Sequence, residues 1–348
     1  MTDPLFITEA FYSVESILPE FKDNNVLFVT DSNVLEVLKR AKNYSSNAPL
    51  CVIEAGEEAK NFQTLEKILS CAVDNKLDRN CTFVGVGGGV VTDIVGFAAS
   101  IYMRGSSHVL VPTSLLAMVD AAIGGKTAID FHSYKNLVGS FYIPEAIYIC
   151  EENLKTLPKE QYFSGLGEII KIALINTPNL YEKITNDVSF FLNCGMSIEI
   201  IKEAIMGKAE IVNEDFCEGG NRAFLNLGHT FGHALESILG FKDITHGAAV
   251  VWGIQKALKL GERLGKTKAK YVDDVLSITE KLNYKENVID EKLLSIFKEK
   301  DVATHLLLEK MKMDKKNRNG KIRLVLQKDL NDCFLAEVRD EEIKGVLF

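Results

Sequence analysis

The chain has 348 residues, 47% of them hydrophobic and 25% charged, with a formal net charge of −8. That length favours two globular domains with sizeable cores, and the acidic balance argues against a nucleic-acid partner, which asks for a basic face. No apolar run reaches the ~18 residues of a membrane span, the start lacks the basic and apolar parts of a signal peptide, and seven scattered cysteines without a CxxC pair fit a reducing cytoplasm.

In chain order, "NVLFVT" reads as a buried strand and "NVLEVLKRAK" as the helix after it. "APLCVIEAG" with "FQTLEKILSCAVD", and "CTFVGVGGG" with "VVTDIVGFAASIYM", repeat that unit. "HVLVPTS" and "EAIYIC" add two strands. Such alternation predicts a parallel sheet with helices on both faces, and ligands beyond the carboxyl ends of its strands. Past Leu157-Pro158 the texture turns helical. "YFSGLGEIIKIALI", "SIEIIKEAIMGKAEIV", "HTFGHALESIL", "GAAVVWGIQKALKLGERLG" and "VDDVLSITEKL" carry helical spacing, with one late strand, "KIRLVLQ".

Three clusters suggest chemistry. In "GVGGGVVTD", a strand ending in glycines before a helix would let backbone N–H groups approach a phosphate. It is not a GxGxxG fingerprint, because Val90 fills the last position, and Asp31 lies before the glycines rather than after them. Any dinucleotide site is therefore not a standard Rossmann one; a tight turn without a ligand is the plainer reading. "VDAAIGGKTAID" and "SYKNLVGSF" place Asp120, Lys126, Lys135 and Asn136 around a turn, where a lysine suits an anion but is more often merely solvated. In "GLGEIIKIALI", Glu168 and Lys171 stand at i, i+3 among isoleucines, so the pair looks buried and in need of partners. His229 and His233 follow at i, i+4, and His246 opens the next helix. "HTFGH" lacks the glutamate of an HExxH protease, but two histidines plus a distant glutamate would make a three-ligand zinc site with an open position.

Together these segments resemble the 3-dehydroquinate synthase family. The motifs "GEEAKN", "GGGVVTD", "YMRG", "VPTSLLAMVDAAIGGKTAID", "KNLVGSFY", "LKTLP", "GLGEIIK", "NLGHTFGHALE" and "THGAAV" occur in its order and spacing, from about Val26 to "DKKNRNGKIRLVL". The resemblance implies an α/β, Rossmann-like parallel-sheet domain over 1–157, a mainly α-helical domain over 158–348, and an active site in the cleft between them. It implies zinc (or Co2+) on Glu168, His229 and His246, with His233 a hydrogen-bonding or proton-transfer residue rather than a ligand. NAD would be held by Asp31, Asn33, Gly56, Glu57, Glu58 and Lys60, with Gly88, Gly89, Val90, Val91 and Asp93 along the pyrophosphate. Thr113, Ser114, Lys126, Lys135, Asn153, Leu154, Lys155 and Thr156 would complete that site. Asp120, Lys126, Asn136, Lys171, Lys208, Arg222, Asn226, His233 and Lys315 (or Lys316) would meet the substrate, and Arg104 would reach the neighbouring site of a homodimer. Two departures are visible: Ala55 where aspartate often precedes "GE", and Thr92 where glycine often precedes Asp93. Both read as tuning.

The reaction so implied converts 3-deoxy-D-arabino-heptulosonate 7-phosphate into 3-dehydroquinate and phosphate. It runs by transient oxidation, phosphate elimination, reduction, ring opening and aldol closure, with NAD regenerated. A polyol or glycerol dehydrogenase would share the plan but release NADH. A cyclase making a valiolone or inosose would lack a substrate carboxylate for Arg222 and Asn226. A non-catalytic binding protein would not need a buried metal beside a nucleotide.

Overall fold

The chain's computed structural model describes residues 25–39, 49–132, 134–240, 243–313 and 322–348. These group into two compact units divided between Pro158 and Lys159. Among the described residues no helix is long and apolar enough to cross a membrane.

In the first unit the strands are β1 (Val26–Asp31), β2 (Leu50–Ile53), β3 (Thr82–Gly87), β4 (Ser107–Pro112), β5 (Lys126–Phe131), β6 (Tyr134–Phe141) and β7 (Ala146–Ile147). Five of them form one parallel sheet in the order β2-β1-β3-β4-β7. Helices α1 (Ser32–Leu38), α2 (Phe62–Asp74) and α3 (Gly89–Ile101) supply the crossovers. Val26, Phe28, Val84, Val86, Val109 and Val111 line one sheet face with Leu38 of α1 against them. The alternate residue Gly85 lies under Val95 of α3, so helices cover both faces. Strands buried on both sides must be apolar throughout, which is why "VLFV" reads as an unbroken run.

Register aligns the carboxyl ends. Asp31 stands opposite Ile53, Thr30 opposite Val86, and Gly87 opposite Pro112. Gly87 must be glycine: an added Cβ would fall 2.4 Å from Val91 Cγ2, where α3 turns back onto its own strand. The β5–β6 hairpin was not anticipated. It is antiparallel, irregular between Ile129 and Phe131, and has Asn136 in the left-handed region at φ 52.

His108 of β4 is 1% exposed, stacks on Tyr142, and has no hydrogen-bond partner on either ring nitrogen among the described residues. Burial pulls its pKa down from 6.5 to about 4. The folded state therefore resists a proton that the unfolded chain accepts below 6.5. Stability should be undiminished above that pH and fall as the pH drops toward 4, by roughly 3 kcal/mol in full. Melting temperatures of wild type and His108→Phe across this window check it. The variant should lose less stability on acidification, and parallel curves would refute the assignment.

The second unit is mainly helical: α4 (Lys159–Ile175), α5 (Pro178–Asn186), α6 (Val188–Leu192), α7 (Ile198–Glu214), α8 (His229–Leu239), α9 (His246–Arg263), α10 (Ala269–Lys281), α11 (Glu286–Phe297) and α12 (Lys300–Lys312). The late strand β8 (Ile322–Gln327) pairs antiparallel with β9 (Cys333–Val338), and α13 (Asp340–Leu347) closes the chain. The sequence shows β8 and helices α4, α7, α8, α9 and α10; strand β9 and helices α5, α6, α11, α12 and α13 were not anticipated. Helix α9 is buried nearly all round, with Trp252 fully enclosed, and packs against α4 and α8. Glycines let these backbones nearly touch. An added Cβ at Gly247 would lie 1.9 Å from the Ser164 carbonyl oxygen, and one at Gly253 would lie 2.0 Å from that of Gly228.

Candidate metal centre and nucleotide cradle

Close packing of α4, α8 and α9 brings three donors together. Glu168 projects from α4 and is 0% exposed; His229 and His246 each begin a helix. Glu168 Oε1 lies 3.7 Å from His229 Nε2 and 3.4 Å from His246 Nε2. One ligand atom from each residue falls within 4.8 Å of the others. Among the described residues neither Glu168 oxygen has a hydrogen-bond partner, although Oε2 sits in ion contact with the Lys171 ammonium. A fully buried carboxylate facing two imidazoles fits a divalent cation. His229 Nδ1 lies 3.3 Å from the Leu227 carbonyl oxygen, which favours the tautomer with Nε2 free to bind metal.

The electrostatics are lopsided. Burial, then the Lys171 ammonium and the two other histidines, hold His229 well below the ordinary imidazole pKa. Burial also pulls on His246, but the Glu168 and Glu236 carboxylates outweigh it and raise its pKa to about 10. A cation seated on Nε2 would displace that proton.

His233 is exposed, its ring centroid 5.1 Å from that of His229 and 5.9 Å from that of His246. Glu236, not singled out from the sequence, is 2% exposed, and its Oε2 lies 3.4 Å from His246 Nδ1. The signal was present, since His229, His233 and Glu236 stand at i, i+4 and i+7 on one helix stripe. His233, Glu236 and His246 form a second cluster of metal-ligating type. Lys208 on α7 and Arg222 in the turn Asn221–Asn226 are both buried, and α4 packs against that turn. Arg222 donates to the Phe216 carbonyl, while Asn226 Nδ2 donates to Glu218 Oε1 at 3.1 Å. Lys315 and Lys316 lie outside the described residues.

In the first unit the sheet edge gathers the other predicted residues. Gly88 is the N-cap of helix α3 and gives it no side-chain cap, which leaves the amides of its first turn, Gly89 to Val91, for an anion. Thr92 turns its hydroxyl back onto the Gly89 carbonyl at 3.0 Å and is buried. Asp31 caps α1: its Oδ1 accepts from the backbone N–H groups of Asn33 and Val34, both at 2.9 Å. Lys60, 4% exposed, donates to Asp93 Oδ2 at 2.5 Å and to Asn136 Oδ1, so one buried ammonium joins two predicted nucleotide residues and one predicted substrate residue. Lys135 Nζ stands 4.0 Å from Glu57 Oε1. Thr113 N–H bonds the Gly87 carbonyl, and Ser114 Oγ accepts from Ala117 N–H. Asn153 Nδ2 donates to the Pro112 carbonyl at 3.4 Å, in a 3-10 turn that also holds Leu154, Lys155 and Thr156. Asp120 sits in a short π-helical turn, and Lys126 opens β5 rather than lying on a loop.

Comparison with known proteins follows the same lines. Residues 50–164 match the model of the N-terminal part of 3-dehydroquinate synthase, and residues 165–317 that of its C-terminal part. The chain is 38% identical to 3-dehydroquinate synthase of Clostridium acetobutylicum over 92% of its own length and 89% of the relative's. Against that of Helicobacter pylori strain P12 the figures are 38%, 95% and 93%. Among solved structures it is similar to a Streptomyces hygroscopicus 2-epi-5-epi-valiolone synthase with NAD+ and Zn2+ bound (TM-score 0.83, 24% identity, 99% and 97% of the two chains). It is also similar to a 2-deoxy-scyllo-inosose synthase complexed with carbaglucose-6-phosphate, NAD+ and Co2+ (TM-score 0.77, 25% identity, 96% and 92%).

Proposed function

The chain belongs to the 3-dehydroquinate synthase family, and from that premise we propose that it is a carbon–oxygen lyase of the shikimate pathway, converting 3-deoxy-D-arabino-heptulosonate 7-phosphate into 3-dehydroquinate and phosphate. The observation that carries this reading is the Glu168–His229–His246 cluster, a fully buried carboxylate facing two partly buried imidazoles, in a chain whose other unit presents an uncapped helix beyond a glycine-rich strand.

In this reading Glu168, His229 and His246 would hold zinc or cobalt, and residues at the carboxyl edge of the sheet would hold NAD. When bound, the nicotinamide supplies a transient hydride acceptor and the ion supplies Lewis acidity toward substrate hydroxyls. The amides of Gly89 to Val91 would hold the pyrophosphate of NAD, and the second carboxylate oxygen of Asp31 would serve a ribose hydroxyl. Lys60 binds Asp93 and Asn136 together, so the nucleotide segment and a substrate-facing amide keep a fixed relation. Lys126 in the first unit, and Lys171, Lys208 and Arg222 in the second, would each offset charge on a substrate carrying both carboxylate and phosphate, cations that an acidic protein must supply locally. Asn226 and Asp120 orient its oxygens. The His233 imidazole exchanges a proton with a substrate oxygen or with the departing phosphate.

A homodimer belongs to the same reading. Ile101, Met103, Tyr134 and Phe141 are all exposed, and Ser140 on β6 bonds Ser100 on α3, which sets the apolar hairpin surface beside Arg104. Met103 and Arg104 both have positive φ, an unusual conformation for such residues that supports a functional loop tip. A second copy would cover this surface and receive Arg104. The seven free cysteines suit a reducing cytoplasm.

Turnover with the heptulosonate phosphate and catalytic NAD tests the function. Phosphate and dehydroquinate should appear in equal amounts while NADH absorbance stays far below product formed. NADH accumulating one for one with substrate consumed would make the protein a dehydrogenase.

A further inference from the structure

The two nitrogens of the His246 ring face two different buried carboxylates. Nε2 lies 3.4 Å from Glu168 Oε1, and Nδ1 lies 3.4 Å from Glu236 Oε2. Glu168 is 0% and Glu236 2% exposed, so neither carboxylate can turn to water instead. A neutral imidazole carries one proton, and its position decides which nitrogen keeps a lone pair for a metal. The other proposed histidine ligand has a weaker second partner, the Leu227 carbonyl beside His229 Nδ1.

We infer that Glu236 is a positioning residue: it accepts the Nδ1 hydrogen of His246, fixes the ring between α8 and α9, and presents Nε2 as the metal-binding nitrogen. This rests on the metal site proposed above. A charged acceptor on Nδ1 raises the basicity of the opposite nitrogen more than a carbonyl does, so His246 becomes the stronger imidazole donor of the pair. Glu236 acts only through His246 and is not itself a ligand.

The test compares wild type, His246→Ala, Glu236→Ala, Glu236→Gln and the double variant His246→Ala/Glu236→Ala. Zinc dissociation constants come from chelator competition, and coordination from the visible spectrum of the Co2+-loaded proteins. Glu236→Ala should weaken zinc about 10–100-fold and shift the cobalt bands, as loss of an outer-shell partner does. Glu236→Gln, whose amide oxygen still accepts from Nδ1–H, should recover most of the affinity and the wild-type band positions. On the His246→Ala background, Glu236→Ala should add less than a twofold change, because its route of action is gone. Wild-type affinity in Glu236→Ala, or fully additive losses in the double variant, would overturn the inference. If Glu236→Ala does not fold, Glu236→Gln decides: loss of zinc as deep as in His246→Ala overturns it. Equal zinc binding by wild type and His246→Ala would instead remove the metal assignment, and the inference with it. Loss in His246→Ala but not in the Glu236 variants would remove the inference alone.

Discussion

His246→Ala protein should fold and bind NAD, yet emerge from purification without zinc and with turnover reduced by about 10³-fold or more. The fold should survive because His246 occupies the first position of α9, while the apolar surface that packs this helix begins at Ala249 and runs through Trp252 to Leu260. Zinc should not survive, because the remaining pair, Glu168 and His229, leaves the ion two protein ligands where a catalytic site uses three. Lewis acidity worth several kcal/mol then disappears, and each 1.4 kcal/mol or so is a factor of ten in rate. Metal analysis beside circular dichroism settles the matter. Full zinc occupancy in a folded His246→Ala protein would show that the ion binds elsewhere.

His233→Ala should give the opposite pattern: zinc and NAD retained, turnover lowered about 10²–10⁴-fold, the range of a proton-transferring or positioning group. The rival arrangement is the second cluster, in which His233, Glu236 and His246 would share the ion. Two features speak against it. Glu236 is engaged with Nδ1 of His246, whereas Glu168 faces the Nε2 atoms of both His229 and His246. His233 is also exposed, where a group that must meet an incoming substrate belongs. A fourth protein ligand would crowd the positions that substrate hydroxyls need. His233→Ala protein purified free of zinc would reverse the two roles.

Much of this was legible in the chain itself, for identifiable reasons. The strand–helix units of the first half announce themselves because parallel strands are apolar on both faces, as in Val26 to Val29 and Phe83 to Val86. The hairpin of β5 and β6 stayed hidden because Tyr134, Leu137 and Phe141 point apolar groups outward, so no clean alternation of apolar and polar residues marks the strand. Strand β9 was hidden for a related reason. Cys333, Phe334 and Leu335 are consecutive and only half-buried, which erases the period of two. The metal cluster could be suspected because histidines are scarce, whereas Glu236 is marked only faintly, by its i+7 spacing from His229, among many acidic residues. Only its place one turn beyond His233, with its burial, separates it from a solvated glutamate.

The glycine contacts between α4, α8 and α9 carry one more consequence. At Gly247 against Ser164 and at Gly253 against Gly228, main chain meets main chain with no side chain between. Such contacts act as a fixed ruler: they have no rotamers to shift and nothing compressible to give. The interval between the helix carrying Glu168 and the helices carrying the two histidines is therefore set before any ion arrives. Adjustment to an ion of different radius has to come from the torsions of three side chains alone. Of these, the two imidazoles are anchored at Nδ1 and can swing little, so discrimination by size would fall chiefly on the carboxylate of Glu168.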